Sequence, residues 1–401
     1  MNDQRELARE LLSLCLAPSL HSERPVSHAS APSSTGFQPV LFPAFTDDPA
    51  SWEPLVHLAI QQGVAPLLAV RTRHLALPVA FRERLESIYS ANSVRNLRLA
   101  AEESRLSADF TAAGLHHWPL KGPGLSERLY ADIGVRQISD LDLLIEPASL
   151  ARTDALLAEL GYQRQTRGPI SFLSRAQELL YIRDGASSHP FYLDLHQRLL
   201  PYVRCDPLAA RVFAQGMNHE NLLLYLCANQ ITHRFSRLRY VCDVTAFLER
   251  EGAAVDWDAF VAAARKTPWG PGVGLSLHWA DKFTPSRVPP EVLRSLRPNP
   301  LSDLLLRRAL GASPAEAASR ARTLDGPAGA AVAVGAAFAG PAQLGMAWRV
   351  AFPSRAYLRE QTGAPSGQPL APAYALRLVE KIPQALRQLF RDTNSSNDKR
   401  N

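Results

Sequence analysis

Cysteine is scarce: the 401 residues include four, Cys15, Cys205, Cys227 and Cys242, and no two of them form a CxxC pair. That spacing argues against a disulfide-framed secreted module or a structural zinc site. It fits reduced, mostly buried thiols in a cytoplasmic protein. A strong charge of one sign is also lacking. The formal net charge of +6 is a small excess for this length. It suits a compact anion such as a nucleoside triphosphate, but no sustained basic groove with interleaved aromatics is visible, so nucleic acid is not the expected partner. Clean hydrophobic runs are missing as well. Glu6, Arg9 and Glu10 precede LLSLCLAP near the start of the chain, so no export signal is expected there. Residues 328–346 are uncharged, but they are rich in Ala and Gly and broken by Pro341; a closely packed soluble helix is expected rather than a membrane contact. No internal repeat is visible.

What is present is a chain with 46% hydrophobic and 20% charged residues, which excludes wholesale disorder. Hydrophobic spacing divides it into an N-terminal helix at 1–17, a Pro/Ser-rich linker or arm at 18–49, a helical region at 50–114, a mixed core at 115–205, a helical domain at 206–390 and a polar tail at 391–401. Residues 79–113 carry Phe81, Leu85, Ile88, Leu97, Leu106 and Phe110 at helical spacing, stopped by Gly114. After the core, 220–231 reads as a buried helix. A break is expected at 266–274 and a proline-rich connection at 285–300.

The densest chemistry lies between Trp118 and Asp142. An apolar strand runs into Lys121-Gly122-Pro123-Gly124, a short helix carries Leu125, Leu129 and Tyr130, and Ser139-Asp140-Leu141-Asp142 opens a second strand through Ile145. An extended Asp140–Asp142 segment would send both carboxylates to one face and Leu141 and Leu143 to the other. Two such carboxylates repel unless hydrogen-bonded, solvated or neutralised, and a divalent ion is one neutraliser. A predicted hairpin, 178–182 with 191–195, delivers Asp194, with His196 on the same face. Three carboxylates on adjacent strands would suit one or two hard cations.

LKGPGLSERLY, RQISDLDLLI and YLDLH resemble the uncharacterised nucleotidyltransferase family of the DNA-polymerase-beta-like superfamily. The resemblance extends weakly over about 52–390. It implies an α+β fold: a small mixed-sheet nucleotidyltransferase core flanked by helical regions. By position, Asp140 and Asp142 match the family's metal-binding pair and Asp194 its third acid, with Lys121-Gly122 beginning the phosphate-binding turn. Pro123 departs from the two small residues common at that turn and removes a backbone donor. Asn229 stands where histidine is more frequent.

The function so implied is transfer of a nucleoside monophosphate from an NTP to a small-molecule, peptide or protein acceptor, with release of pyrophosphate. Mg2+, or Mn2+, would be held by Asp140, Asp142 and Asp194. Gly122 and the helix start near Gly124 would approach phosphate, and for Lys121 the choices are a phosphate contact or a structural ion pair. For Ser139 the choices are a phosphate contact or a turn cap; for Arg136, pairing with an aspartate or a substrate contact; for His196, packing or direct catalysis. His233, Arg237 and Arg239 form a second polar cluster, either across a cleft from the acids or in a helix with an Arg239–Asp243 pair. The resemblance also suggests a bacterial setting and natural-product biosynthesis. A noncatalytic nucleotide- or partner-binding protein on the same fold is the competing reading, and a purely structural adaptor a further one.

Overall fold

The computed structural model describes residues 2–16, 45–165, 178–184, 189–200, 206–233, 235–285, 287–311 and 313–320, with a few positions between 355 and 379. The linker before residue 45, Cys205, the stretch 328–346 and residues 380–401 lie outside them. The fold is α+β, and one long helix, α4 (Val79–Ala112), links the two larger hydrophobic cores among the described residues. At about 1.5 Å per residue this helix extends for roughly 50 Å. Its early residues Phe81 and Leu85 enter a core made of helices, whereas Leu99, Leu106 and Phe110 enter the core beneath the sheet. Leu97, expected on the apolar stripe, is 58% exposed; the buried position two residues on belongs to Leu99.

Five strands form one sheet in the order β1 (His117–Pro119), β2 (Leu141–Ile145), β5 (Phe191–His196), β4 (Glu178–Arg183) and β3 (Gln163–Arg164). Only β2 and β5 are parallel; the other pairs are antiparallel. Alternation decides what each face carries. Leu141, Leu143, Leu193 and Leu195 are fully buried against α4 and against Leu157 of α6 (Leu150–Glu159). Each contributes about 1.5–3 kcal/mol by leaving water. The opposite face presents Asp142, Leu144, Asp194 and His196, of which Leu144 packs into the helical core. A one-residue slip in β2 would turn Asp142 into the apolar face.

Three local expectations are corrected. β1 is an edge strand that is only partly buried, because a single neighbour and α4 cover it. Asp140 sits on the bend before β2, not within the strand. Ser149, which the sequence marks as a local cap for the helix after Pro147, caps nothing through its side chain: a 3-10 turn intervenes at Pro147–Ser149, and its hydroxyl donates to the Glu146 carbonyl instead.

The remaining helices share one core from both ends of the chain. α1 (Asn2–Leu16), α2 (Glu53–Gln62) and α3 (Ala65–Thr72) pack with α8 (His219–Thr232), α9 (Leu238–Glu251) and α11 (Gly270–Asp281). Gln62 accepts a hydrogen bond from the Leu238 amide, so α2 caps the start of α9. α11 begins at Gly270, so the break is shorter than expected, and the proline-rich connection contains a helical turn, α12 (Pro290–Ser295).

Arg136 and Asp243 fix α9 against the segment leading into β2. They are 4% and 2% exposed, with Nε 3.1 Å from Oδ2, and the Tyr130 hydroxyl donates to Oδ1 at 2.9 Å. This pair replaces the expected Arg239–Asp243 contact: Arg239 instead donates to the Gln137 carbonyl and the Tyr240 hydroxyl. Breaking one side leaves a buried charge without its partner. Arg136→Met or Asp243→Asn should therefore each lower unfolding free energy by about 3–5 kcal/mol in urea titrations, and the double variant by less than the sum.

Candidate active site

Backbone geometry at the turn after β1 starts the site. Gly122 has φ +111°, a left-handed conformation costly for a residue with a Cβ. A Cβ there would also lie 2.8 Å from Oε2 of Glu103, which reaches up from α4. Pro123 then supplies the fixed φ of a first helical position, and α5 (Pro123–Tyr130) begins with its free amides at the turn. The 132–137 segment that follows is held from below by two buried asparagines of α4. Asn92 donates to the carbonyls of Gly134 and Arg136, and Asn96 to those of Ile133 and Arg136.

Parallel pairing of β2 with β5 places Asp142 directly opposite Asp194. Neighbouring strands lie about 4.8 Å apart, so these carboxylates are neighbours on one face. Asp142 is 3% exposed and its Oδ1 receives two partners, Lys121 Nζ at 3.0 Å and His196 Nε2 at 2.7 Å. Burial opposes its ionisation, but the Lys121 charge and the His196 hydrogen bond prevail and hold the carboxyl well below the usual carboxylate range. Burial likewise pulls down on Lys121, and Asp142 more than offsets it, so the ammonium stays charged. Of the alternatives open for His196, the structure places it beside Asp142.

Asp140 is half-buried, and the Ser139 hydroxyl donates to its Oδ1 at 2.8 Å. All three acids line one cleft of about 290 Å³, together with Lys121, Arg136, Ser139, His233, Arg237 and Arg239. Gly122 and Gly124 stand next to it without lining it, as does His196 beneath Asp142. Asn229 is buried in α8 and does not reach the cleft.

Opposite the acids, the His233 ring stacks on Tyr240 with centroids 4.8 Å apart, and the Arg239 guanidinium lies 4.9 Å from the Tyr240 centroid. Burial, then the charges of Lys121 and Arg239, pushes the His233 imidazole well below its ordinary value, so it is neutral at pH 7. Arg237 is exposed at the rim with no acidic partner among the described residues. One wall is thus anionic and the other cationic and aromatic, an arrangement able to hold a phosphate chain against the carboxylates.

A divalent ion suits these donors in kind, since three carboxylates share one cleft. Among the described residues, however, no three acidic, histidine or cysteine side chains are gathered closely enough to hold an ion. Lys121 and His196 both meet Asp142 at Oδ1.

With this geometry in view, comparison with known families is informative. A family model described as uncharacterised nucleotidyltransferase matches residues 48–285, more than half of the chain. The chain belongs to that family. No curated protein and no solved structure is significantly similar to it. The family match spans β1 to β5 and the whole cleft, and ends before α12. No helix among the described residues is long and apolar enough to cross a membrane.

Sequence alone did not point to Tyr240, which lines the cleft, or to Glu103, which stands beside the Gly122 turn. Oε2 of Glu103 is buried without a hydrogen-bond partner among the described residues. Burial and the nearby Asp142 charge push its carboxyl up to about 7. The available signal was the Glu102-Glu103 pair on a helix with an apolar stripe; Glu102 is used structurally, accepting from Tyr162, Arg105 and Arg183. Because folded Glu103 keeps its proton to higher pH than the unfolded chain does, it favours folding at low pH. That contribution is lost as pH rises from about 4.5 to about 7. Glu103→Gln should match the parent below about pH 4 and exceed its stability by about 1–3 kcal/mol above pH 7, read from denaturant midpoints across pH.

Proposed function

We propose that this protein transfers a nucleoside monophosphate from an NTP to an acceptor nucleophile and releases pyrophosphate. The observation that carries this reading is the pairing of Asp142 with Asp194 across parallel strands, with Asp140 in the same cleft and cations on the facing wall. A mixed sheet with an Asp-x-Asp pair at one strand and a third acid on its parallel neighbour also supports placement in the DNA-polymerase-beta-like superfamily.

In this mechanism the acceptor oxygen attacks the α-phosphorus. The bond from that phosphorus to the α,β-bridging oxygen breaks, and the nucleophile's proton passes to Asp194. Lys121, Arg237 and Arg239 bind the phosphate chain and stabilise the charge that develops on the leaving group. The turn at Gly122 and the amides opening α5 add a positive electrostatic edge near the chain. The half-buried His233 ring, backed by the buried Tyr240, offers one face for packing a planar group. Asp140, Asp142 and Asp194 would hold Mg2+ or Mn2+, which when bound supplies neutralisation of the phosphate oxygens and a more acidic nucleophile.

The acceptor we favour is a small molecule, a peptide or a protein side chain, in a bacterial cytoplasm and within natural-product biosynthesis. This assignment follows the family resemblance. The partnering of Asp142 by Lys121 and His196 favours a second reading, a noncatalytic nucleotide- or partner-binding protein, because that carboxylate is already neutralised.

Incubation with labelled NTPs, Mg2+ or Mn2+ and candidate acceptors, followed by intact-mass analysis, separates the two. Transfer predicts a stable gain of one nucleotide on an acceptor, with pyrophosphate. Nucleotide binding without either product across a broad acceptor screen would leave the binding reading. Asp140→Ala should abolish transfer while keeping the parent's circular dichroism and melting profile, since Asp140 lies on a half-exposed bend; normal turnover by that variant would reject the assignment.

A further inference from the structure

A second cavity, of about 300 Å³, lies among α11, α12 and α13 (Pro300–Leu310). The wall supplied by α12 and α13 lies entirely after residue 285, where the family match ends, so the nucleotidyltransferase relationship does not account for that wall. Its volume is at the small end of the range for small-molecule pockets, roughly 300–1,000 Å³.

Two kinds of side chain line it. Half-buried Leu275, Leu293 and Pro298 provide apolar surface, backed by the buried Trp279 and Leu306. Around them stand Lys282, Arg294, Arg297 and Arg307, with Asp303 as the one acidic lining residue. Arg307 is taken by Asp303, Nε to Oδ2 at 2.8 Å. Lys282, Arg294 and Arg297 are exposed and have no acidic partner among the described residues. His278, also in the lining, is held below its ordinary value by burial and by the charge of Lys282, with Arg307 adding to it and Asp281 and Asp303 opposing.

A solvated cationic face would need no apolar recess, and an ordinary packing defect would not be ringed by unpaired cations. The combination is complementary to a molecule with an anionic head and an apolar body.

We propose that this cavity binds a small organic anion with an apolar tail, a carboxylate of acyl or aryl type, at a site separate from the acidic cleft. Lys282, Arg294 and Arg297 take the head group, and Leu275, Leu293 and Pro298 cover the tail.

The test is isothermal titration calorimetry of the full chain with octanoate, octan-1-ol and inorganic phosphate. Octanoate should bind, and the alcohol and phosphate should each bind at least tenfold more weakly, because each lacks one half of the recognition. Arg294→Gln/Arg297→Gln alters exposed positions and should weaken octanoate at least tenfold, with nucleotide transfer in the acidic cleft unchanged. If octanoate does not bind, if the alcohol or phosphate binds as well, or if the double variant keeps the parent's affinity, the proposal is overturned. Calorimetry does not depend on turnover, so its result stands whether or not the cleft is catalytic.

Discussion

The Asp142 carboxylate is ionised at 3% exposure. Withdrawing such a charge from water costs several kcal/mol unless partners replace the lost hydration. Lys121 and His196 supply them, at 3.0 and 2.7 Å. Those two contacts tie the turn after β1 and the end of β5 to the middle of β2, so the three strands next to the cleft are pinned at one oxygen atom.

Around that point the molecule is braced by polar groups buried for geometric rather than chemical reasons. Asn92 and Asn96 place amide donors under the carbonyls of the 132–137 segment, which has little regular structure of its own to satisfy them. Arg136 leaves that segment to meet Asp243, bringing α9 and its Arg239 and Tyr240 up to the acids. The long helix α4 thus does two jobs: its apolar residues build both cores, and its amides fix the loop that delivers Asp140. Glu103, near the same loop, is the exception, a carboxyl with a buried oxygen left without a partner beside the glycine turn.

The parts of the site that could be read in advance were local. Alternation in Leu141–Ile145 and Phe191–His196 set which residues share a face, and a hairpin was legible from the run before Asp184 and the run after Pro190. Lys121 and Gly122 stood out by composition at a turn. Pairing partners were less accessible. Arg239 and Asp243 have helical spacing, yet Asp243 turns to Arg136, 107 positions away, because a buried guanidinium needs a buried carboxylate more than an exposed helix pair does. Leu97 and Leu99 look alike in sequence, and only packing separates the exposed one from the buried one.

The family resemblance implied the α+β class; by itself, the sequence determined the alternation of Leu141–Ile145 and Phe191–His196, a turn at Lys121-Gly122 and the set of acidic and basic side chains available for chemistry. Those follow from local backbone sterics and side-chain alternation, which act over a few residues. Tertiary structure alone decided that β2 and β5 are parallel neighbours, that Asp142 is held by Lys121 and His196, that α9 forms the facing wall and that Glu103 lies against the turn. Each of these depends on contacts between segments far apart in the chain, where burial and charge compensation, rather than local propensity, choose the partner.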